Sequence, residues 1–82
     1  MKVTINIFPK ADVLNPEAEA IEKSLQNLDF KNFRNLSLGK KVIFFTNDKD
    51  NKQVYENAQE MCKKLLVNPV IEDYEIIVEN ES

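Results

Sequence analysis

Lys2-Val3-Thr4-Ile5-Asn6-Ile7-Phe8 alternates apolar with polar residues, Val3, Ile5 and Ile7 on one side and Lys2, Thr4 and Asn6 on the other. Side chains of a strand point to opposite faces in turn, so this stretch predicts a half-buried β-strand. The same alternation makes it unlike the uninterrupted apolar core of a signal peptide. A loop, Pro9 to Asn15, follows. Asn15 can cap a helix with its side-chain oxygen, and Pro16 suits the first helical position because its missing N–H would be unpaired there anyway. Glu17 and Glu19 favour the positive end of the helix dipole. Ala18, Ile21, Leu25 and Leu28 recur at spacings of three, four and three, the stripe of a helix of about three to four turns. Glu19 and Lys23 lie at i and i+4 on its wet side.

Beyond a polar break at residues 29–32, Phe33–Leu38 and Lys41–Thr46 both have strand character. Gly39, the chain's single glycine, stands between them. It fits either the first central position of a two-residue hairpin with Lys40 or a bulge in one long bent strand. Val42-Ile43-Phe44-Phe45 places apolar groups on both faces, which predicts cover on both sides, the second from another subunit. Asp50 and Gln53 have capping-box spacing. Val54, Ala58, Met61 and Leu65, widened by Cys62 and Leu66, make a second helical stripe with Lys63 and Lys64 near its negative end. Asn68-Pro69 ends that helix. Val70–Val78 then alternates Val70, Glu72, Tyr74, Ile76 and Val78 against Ile71, Asp73, Glu75 and Ile77. The expected fold is α+β, in the order β-α-β(β)-α-β, with two helices on one face of a mostly antiparallel sheet, loosely ferredoxin-like. Residues 1–82 are expected to form one domain.

Composition narrows the chemistry. The chain has 82 residues, an apolar fraction of 43% and 30% charged residues, values of a folded globular domain. One cysteine allows no internal disulfide, and the absence of histidine removes the commonest metal ligand and every Ser-His or Cys-His arrangement. A single glycine leaves neither a P-loop nor a dinucleotide fingerprint. The net charge of −3, with acids and bases interleaved, offers no basic stripe for nucleic acid. No apolar run is long enough to span a membrane, so the expectation is a cytoplasmic protein. Cys62, inside a helix with no base to activate it, is expected to be structural. Glu72 points away from Asp73 and Glu75 on an alternating strand, so only Asp73 and Glu75 share a face. These acids suit a solvated or partner-facing edge better than a metal or acid–base site. Tyr74 suits core or interface packing, and Lys40-Lys41 a wet turn or an anion contact.

Glu60-Met61-Cys62-Lys63-Lys64-Leu65-Leu66-Val67-Asn68-Pro69-Val70-Ile71-Glu72-Asp73-Tyr74-Glu75-Ile76-Ile77 resembles the C-terminal run of the PurS family, the small subunit of phosphoribosylformylglycinamidine synthase. There Leu-Leu-Ala-Asn-Pro-Val-Ile-Glu-Asp-Tyr follows a helix, and Val67 stands for the usual Ala. Val13-Leu14-Asn15-Pro16 is similar to the family's Val-Leu-Asp-Pro, and Gly39-Lys40 to its Gly-Lys before a strand. Departures are Asn15 for Asp, Glu17-Ala18 for Gln-Gly, and Asp29 in place of a glycine. Asp29 therefore needs a left-handed backbone, which Asp tolerates better than most residues. The resemblance implies a subunit without catalytic residues, metal or cofactor of its own. It also implies partners: a second or further copies in a dimer or tetramer, a glutaminase subunit that releases ammonia, and a large synthetase subunit that carries ATP and magnesium. Candidate partner or oligomer contacts are Gly39, Lys40, Asn68, Pro69, Glu72, Asp73 and Tyr74, although Asn68-Pro69 equally suits a purely structural turn. Alternatives from the residues alone are a small adaptor or ligand-binding regulatory domain, and an acid–base enzyme using Asp73 and Glu75 across a dimer interface.

Overall fold

The computed structural model describes residues 1–81. Three strands and two helices alternate: β1 (Lys2–Pro9), α1 (Pro16–Asn27), β2 (Lys40–Phe45), α2 (Asn51–Met61), which runs into a π-helical turn Cys62–Leu66, and β3 (Glu72–Glu79). The sheet order is β2-β1-β3. β1 is antiparallel to both neighbours, with Ile5 opposite Val42 on one side and Ile76 on the other. The α+β class and the antiparallel sheet thus stand as expected. The last strand starts at Glu72, two residues later than the alternation suggested, because Val70 and Ile71 are taken up in a turn.

Register assigns the faces. Val3, Ile5 and Ile7 are buried at the centre, flanked by half-buried Val42 and Phe44 on β2 and by Tyr74, Ile76 and Val78 on β3. α2 closes this face with Val54, Ala58 and Cys62, and Val67 completes the cluster. Positions 54, 58 and 62 lie four apart, so the buried line is narrower than the predicted stripe. Met61 is exposed, and Leu65 is 84% exposed. The cause is the final turn, in which the Val67 N–H bonds to the Cys62 carbonyl at 3.0 Å, an i→i−5 step that widens the helix and rotates Leu65 outward.

Helix ends follow the expected chemistry. Asn15 Oδ1 accepts from the N–H groups of Glu17 at 2.9 Å and Ala18 at 3.4 Å. Asp50 Oδ1 accepts from Lys52 and Gln53 in the same way. Only half of the capping box forms, because the Gln53 side chain donates to Asn57 Oδ1 instead of reaching back. α1 ends in a Schellman motif, with the Phe30 N–H on the Leu25 carbonyl and the Asp29 N–H on that of Gln26. Asp29 sits at φ 71°, the left-handed conformation expected where the resemblance placed a glycine.

Two expectations fail, both on the side of α1. Phe33–Leu38 forms no strand in this chain, and Asn35 interrupts it at φ 60°. The apolar stripe of α1 buries Ala18 alone, leaving Ile21 37% and Leu28 67% exposed. The second cover of β2 is not supplied by this chain either, since Ile43 and Phe45 on the far face are exposed. The molecule is correspondingly drawn out, 49 × 31 × 15 Å with a radius of gyration of 16.3 Å. A compact chain of this length would have about 12 Å.

Candidate functional site

One end of the sheet gathers the residues singled out from the sequence. β1, β2 and β3 bring Lys40, Ile7 and Tyr74 into one row across the sheet. Gly39 continues beside β1. A Cβ at this position would lie 2.6 Å from the Ile7 carbonyl oxygen, so only glycine lets the strand come this close. Its φ is not positive, which excludes the two-residue hairpin, whose first central residue requires φ above zero. β2 begins just after it, at Lys40.

Glu72 links this row to the turn after α2. Its Oε1 accepts from the Asn68 N–H at 2.9 Å, and its Oε2 lies 3.6 Å from Lys40 Nζ. The carboxylate is largely covered, so its two partners offset part of the cost of removing it from water. Asn68 is used heavily by the fold. Its carbonyl accepts from the N–H groups of Ile71 at 3.2 Å and Glu72 at 2.8 Å, and its Oδ1 accepts from the Val70 N–H. Pro69 at the second turn position pre-sets the backbone there. These bonds give Asn68-Pro69 a structural purpose, with the Asn68 Nδ2 left over for other contacts.

Asp73 and Glu75 occupy the opposite face, as alternation required, and each has its own partner. Lys10 Nζ lies 3.2 Å from Asp73 Oδ1, and Asn6 Nδ2 donates to Glu75 Oε1 at 3.1 Å. Neither is held as the acid or base of a shared proton. Tyr74 packs its ring against the core cluster. Cys62 is fully buried, and desolvation pushes its thiol above the usual value, which disfavours the thiolate a nucleophile needs. Among the described residues no three His, Cys, Asp or Glu side chains cluster as metal ligands. A shallow cleft of about 190 Å³ lies beside Lys10, Lys63, Pro69, Glu72 and Tyr74. A larger one of about 520 Å³ opens between α1, the Pro9–Asn15 loop and residues 35–37. Lys10 is the residue the sequence did not single out; its partner Asp73 stands opposite Phe8 in the β1–β3 register, and that register is not visible in the sequence.

Among the described residues the arrangement offers three surfaces: a charged sheet end, an exposed apolar helix stripe and an exposed apolar sheet face. Comparison with known proteins agrees along the full length. The family PurS: Phosphoribosylformylglycinamidine (FGAM) synthase matches residues 2–80. Phosphoribosylformylglycinamidine synthase subunit PurS of Methanocaldococcus jannaschii is 44% identical over 78 residues, covering 95% of this chain and 94% of the relative. The crystal structure of PurS from that organism superposes with a TM-score of 0.86 at 42% identity, covering 99% of this chain and 98% of the other. A chain in the structure of PurLQS from Thermotoga maritima gives 0.83 at 32% identity, covering 93% of each.

Proposed function

The chain belongs to the PurS family, and from that premise we propose that it is a non-catalytic subunit of a phosphoribosylformylglycinamidine synthase in purine biosynthesis. The carrying observation is a full-length family match on a chain whose described residues assemble no nucleophile–base pair and no phosphate loop. Its contribution is a surface. In this reading it holds a glutaminase subunit and an ATP-dependent synthetase subunit together, so that ammonia released from glutamine reaches formylglycinamide ribonucleotide. ATP and magnesium belong to the large partner, and this chain binds neither. The relative found in PurLQS supports the assembly role. The uncovered apolar faces support self-association as a homo-oligomer as well.

No helix among the described residues is long and apolar enough to cross a membrane. We place the complex in the cytoplasm, with its small polar substrates. Reconstitution tests the reading. The two partner subunits are assayed for glutamine-dependent synthesis with and without this chain. A gain of activity on adding it is expected, while the chain alone turns over nothing. Equal rates with and without it would overturn the role.

A further inference from the structure

β3 is an edge strand, because the sheet order β2-β1-β3 gives it a neighbour on one side only. The register shows which of its backbone groups face outward. Pro9 stands opposite Glu72 and has no N–H to give, while the Lys10 N–H bonds to the Ile71 carbonyl at 2.9 Å. Bonded and non-bonded pairs alternate along an antiparallel ladder, so Asp73, Glu75, Ile77 and Glu79 are the residues that bond to β1. The N–H and C=O groups of Tyr74, Ile76 and Val78 therefore point away from the sheet. The Glu72 N–H faces the same way and is taken by the Asn68 carbonyl at 2.8 Å. Among the described residues no hydrogen bond from outside the sheet reaches Tyr74, Ile76 or Val78.

Proteins close such edges with lysine, proline or a bulge. β3 has no lysine or proline, and its register with β1 runs unbroken from Glu72 to Glu79. It carries Asp73, Glu75 and Glu79 on the far face and half-buried Tyr74, Ile76 and Val78 on the core face. The acids disfavour a second β3 at this edge. A twofold pairing centred on Tyr74 sets Asp73 against Glu75, one centred on Ile76 sets Asp73 against Glu79, and one centred on Val78 sets Glu75 against Glu81. Like charges directly opposite destabilise a strand pair, and opposite charges stabilise it. Within the chain Lys10 matches Asp73, but Glu75 accepts only from the Asn6 amide. Glu79 forms no ion pair among the described residues.

We propose that the outer edge of β3, from Tyr74 to Val78, docks an extended segment of a different protein that alternates apolar residues with Lys or Arg. The free backbone groups of Tyr74, Ile76 and Val78 supply the ladder of an added strand. Its apolar side chains lie beside those of Tyr74, Ile76 and Val78 and complete their burial. Its basic side chains meet Glu75 and Glu79 on the far face. The other edge of the sheet is unsuited to this occupant, because β2 carries Lys40 and Lys41 and no acid. The site goes beyond the synthase reading and does not depend on it.

The probes are an acetylated, amidated Lys-Val-Lys-Val-Lys-Val-Lys peptide and its Glu-Val counterpart, with amide exchange of the chain followed by nuclear magnetic resonance. Without peptide, the Tyr74, Ile76 and Val78 amides are expected to exchange faster than those of Asp73, Glu75 and Ile77. With the basic peptide at about ten times its Kd, their exchange is expected to slow about tenfold. The acidic peptide is expected to leave them unchanged. Outward amides already protected in the free chain, protection confined to β2, no protection by the basic peptide, or equal protection by both peptides would each overturn the proposal. Glu75→Lys combined with Glu79→Lys, at exposed positions, is expected to transfer the preference to the acidic peptide. A folded double variant that still prefers the basic peptide refutes the recognition by charge.

Discussion

The sheet with α2 and the region from α1 to Leu38 both carry apolar stripes and use them differently. In the first, Val3, Ile5 and Ile7 meet Val54, Ala58 and Cys62 within one chain, and all six are buried. In the second, Ile21, Leu28 and Phe30 are exposed, and Ala18 is the one residue of the α1 stripe fully removed from water. Amphipathic pattern alone therefore does not report burial. It reports that a residue needs an apolar neighbour, and that neighbour can belong to another molecule. The first region builds the core of a single chain, and the second leaves apolar groups exposed on it.

The same substitution in each region gives the largest contrast. Ile5→Ala opens a cavity beneath α2 and is expected to cost about 2–5 kcal/mol in urea unfolding. Ile21→Ala, measured at low protein concentration, is expected to change stability by no more than about 0.5 kcal/mol. Equal losses under those conditions would erase the distinction. Under the self-association proposed above, raising the protein concentration sharpens it, and Ile21→Ala is then expected to destabilise more.

Gly39 sits where the two regions join. Gly39→Ala drives a methyl group to within 2.6 Å of the Ile7 carbonyl unless the strand shifts. The expected loss is about 1–3 kcal/mol, typical of an overpacked site, read from the denaturant midpoint at unchanged slope. A neutral result would mean that β2 slides away from β1 without cost.

The helix caps test the contrast more gently. Asp50→Ala and Asn15→Ala each remove an oxygen that accepts two backbone N–H groups, worth about 1 kcal/mol. Because α2 closes the core, Asp50→Ala is expected to lower the global melting temperature. Asn15→Ala is expected to speed amide exchange in the first turn of α1 while the strands keep their protection. Whole-molecule protection lost in both would show that α1 is as integral as α2.

Several features that a single chain satisfies by itself were legible in the sequence. Alternation in Lys2–Phe8 placed three core residues, both N-caps were found from Asn15 and Asp50, and Asp29 was assigned its left-handed backbone. The separation of Glu72 from Asp73 and Glu75 followed from strand alternation alone. The π-helical turn at Cys62–Leu66 escaped because a one-residue change in hydrogen-bond step leaves no mark on a stripe four residues wide. Strand character in Phe33–Leu38 was legible, but pairing is a property of two strands, and β2's free edge is not visible in these residues. Among the site residues, Glu72 with Lys40 and Asn68 came together at one sheet end, although nothing in their spacing encodes a contact across β1.

Cys62 offers the smallest effect, confined to the first region. Its thiol is buried in the cluster, and desolvation raises its pKa above the ordinary 9.0. Below that value both folded and unfolded chains hold the proton, and Cys62 contributes no pH dependence. Above it the unfolded chain releases the proton first, so the native state binds more protons and stability falls as pH rises. The loss continues until pH exceeds the raised native value. Comparing the parent with Cys62→Ala isolates the thiol. The parent's stability is expected to fall more steeply above pH 9 than the variant's, after allowing for the constant cost of the smaller side chain. Parallel curves would mean that water reaches the sulfur, and that the packing between α2 and β1 is looser than the buried line of Val54, Ala58 and Cys62 requires.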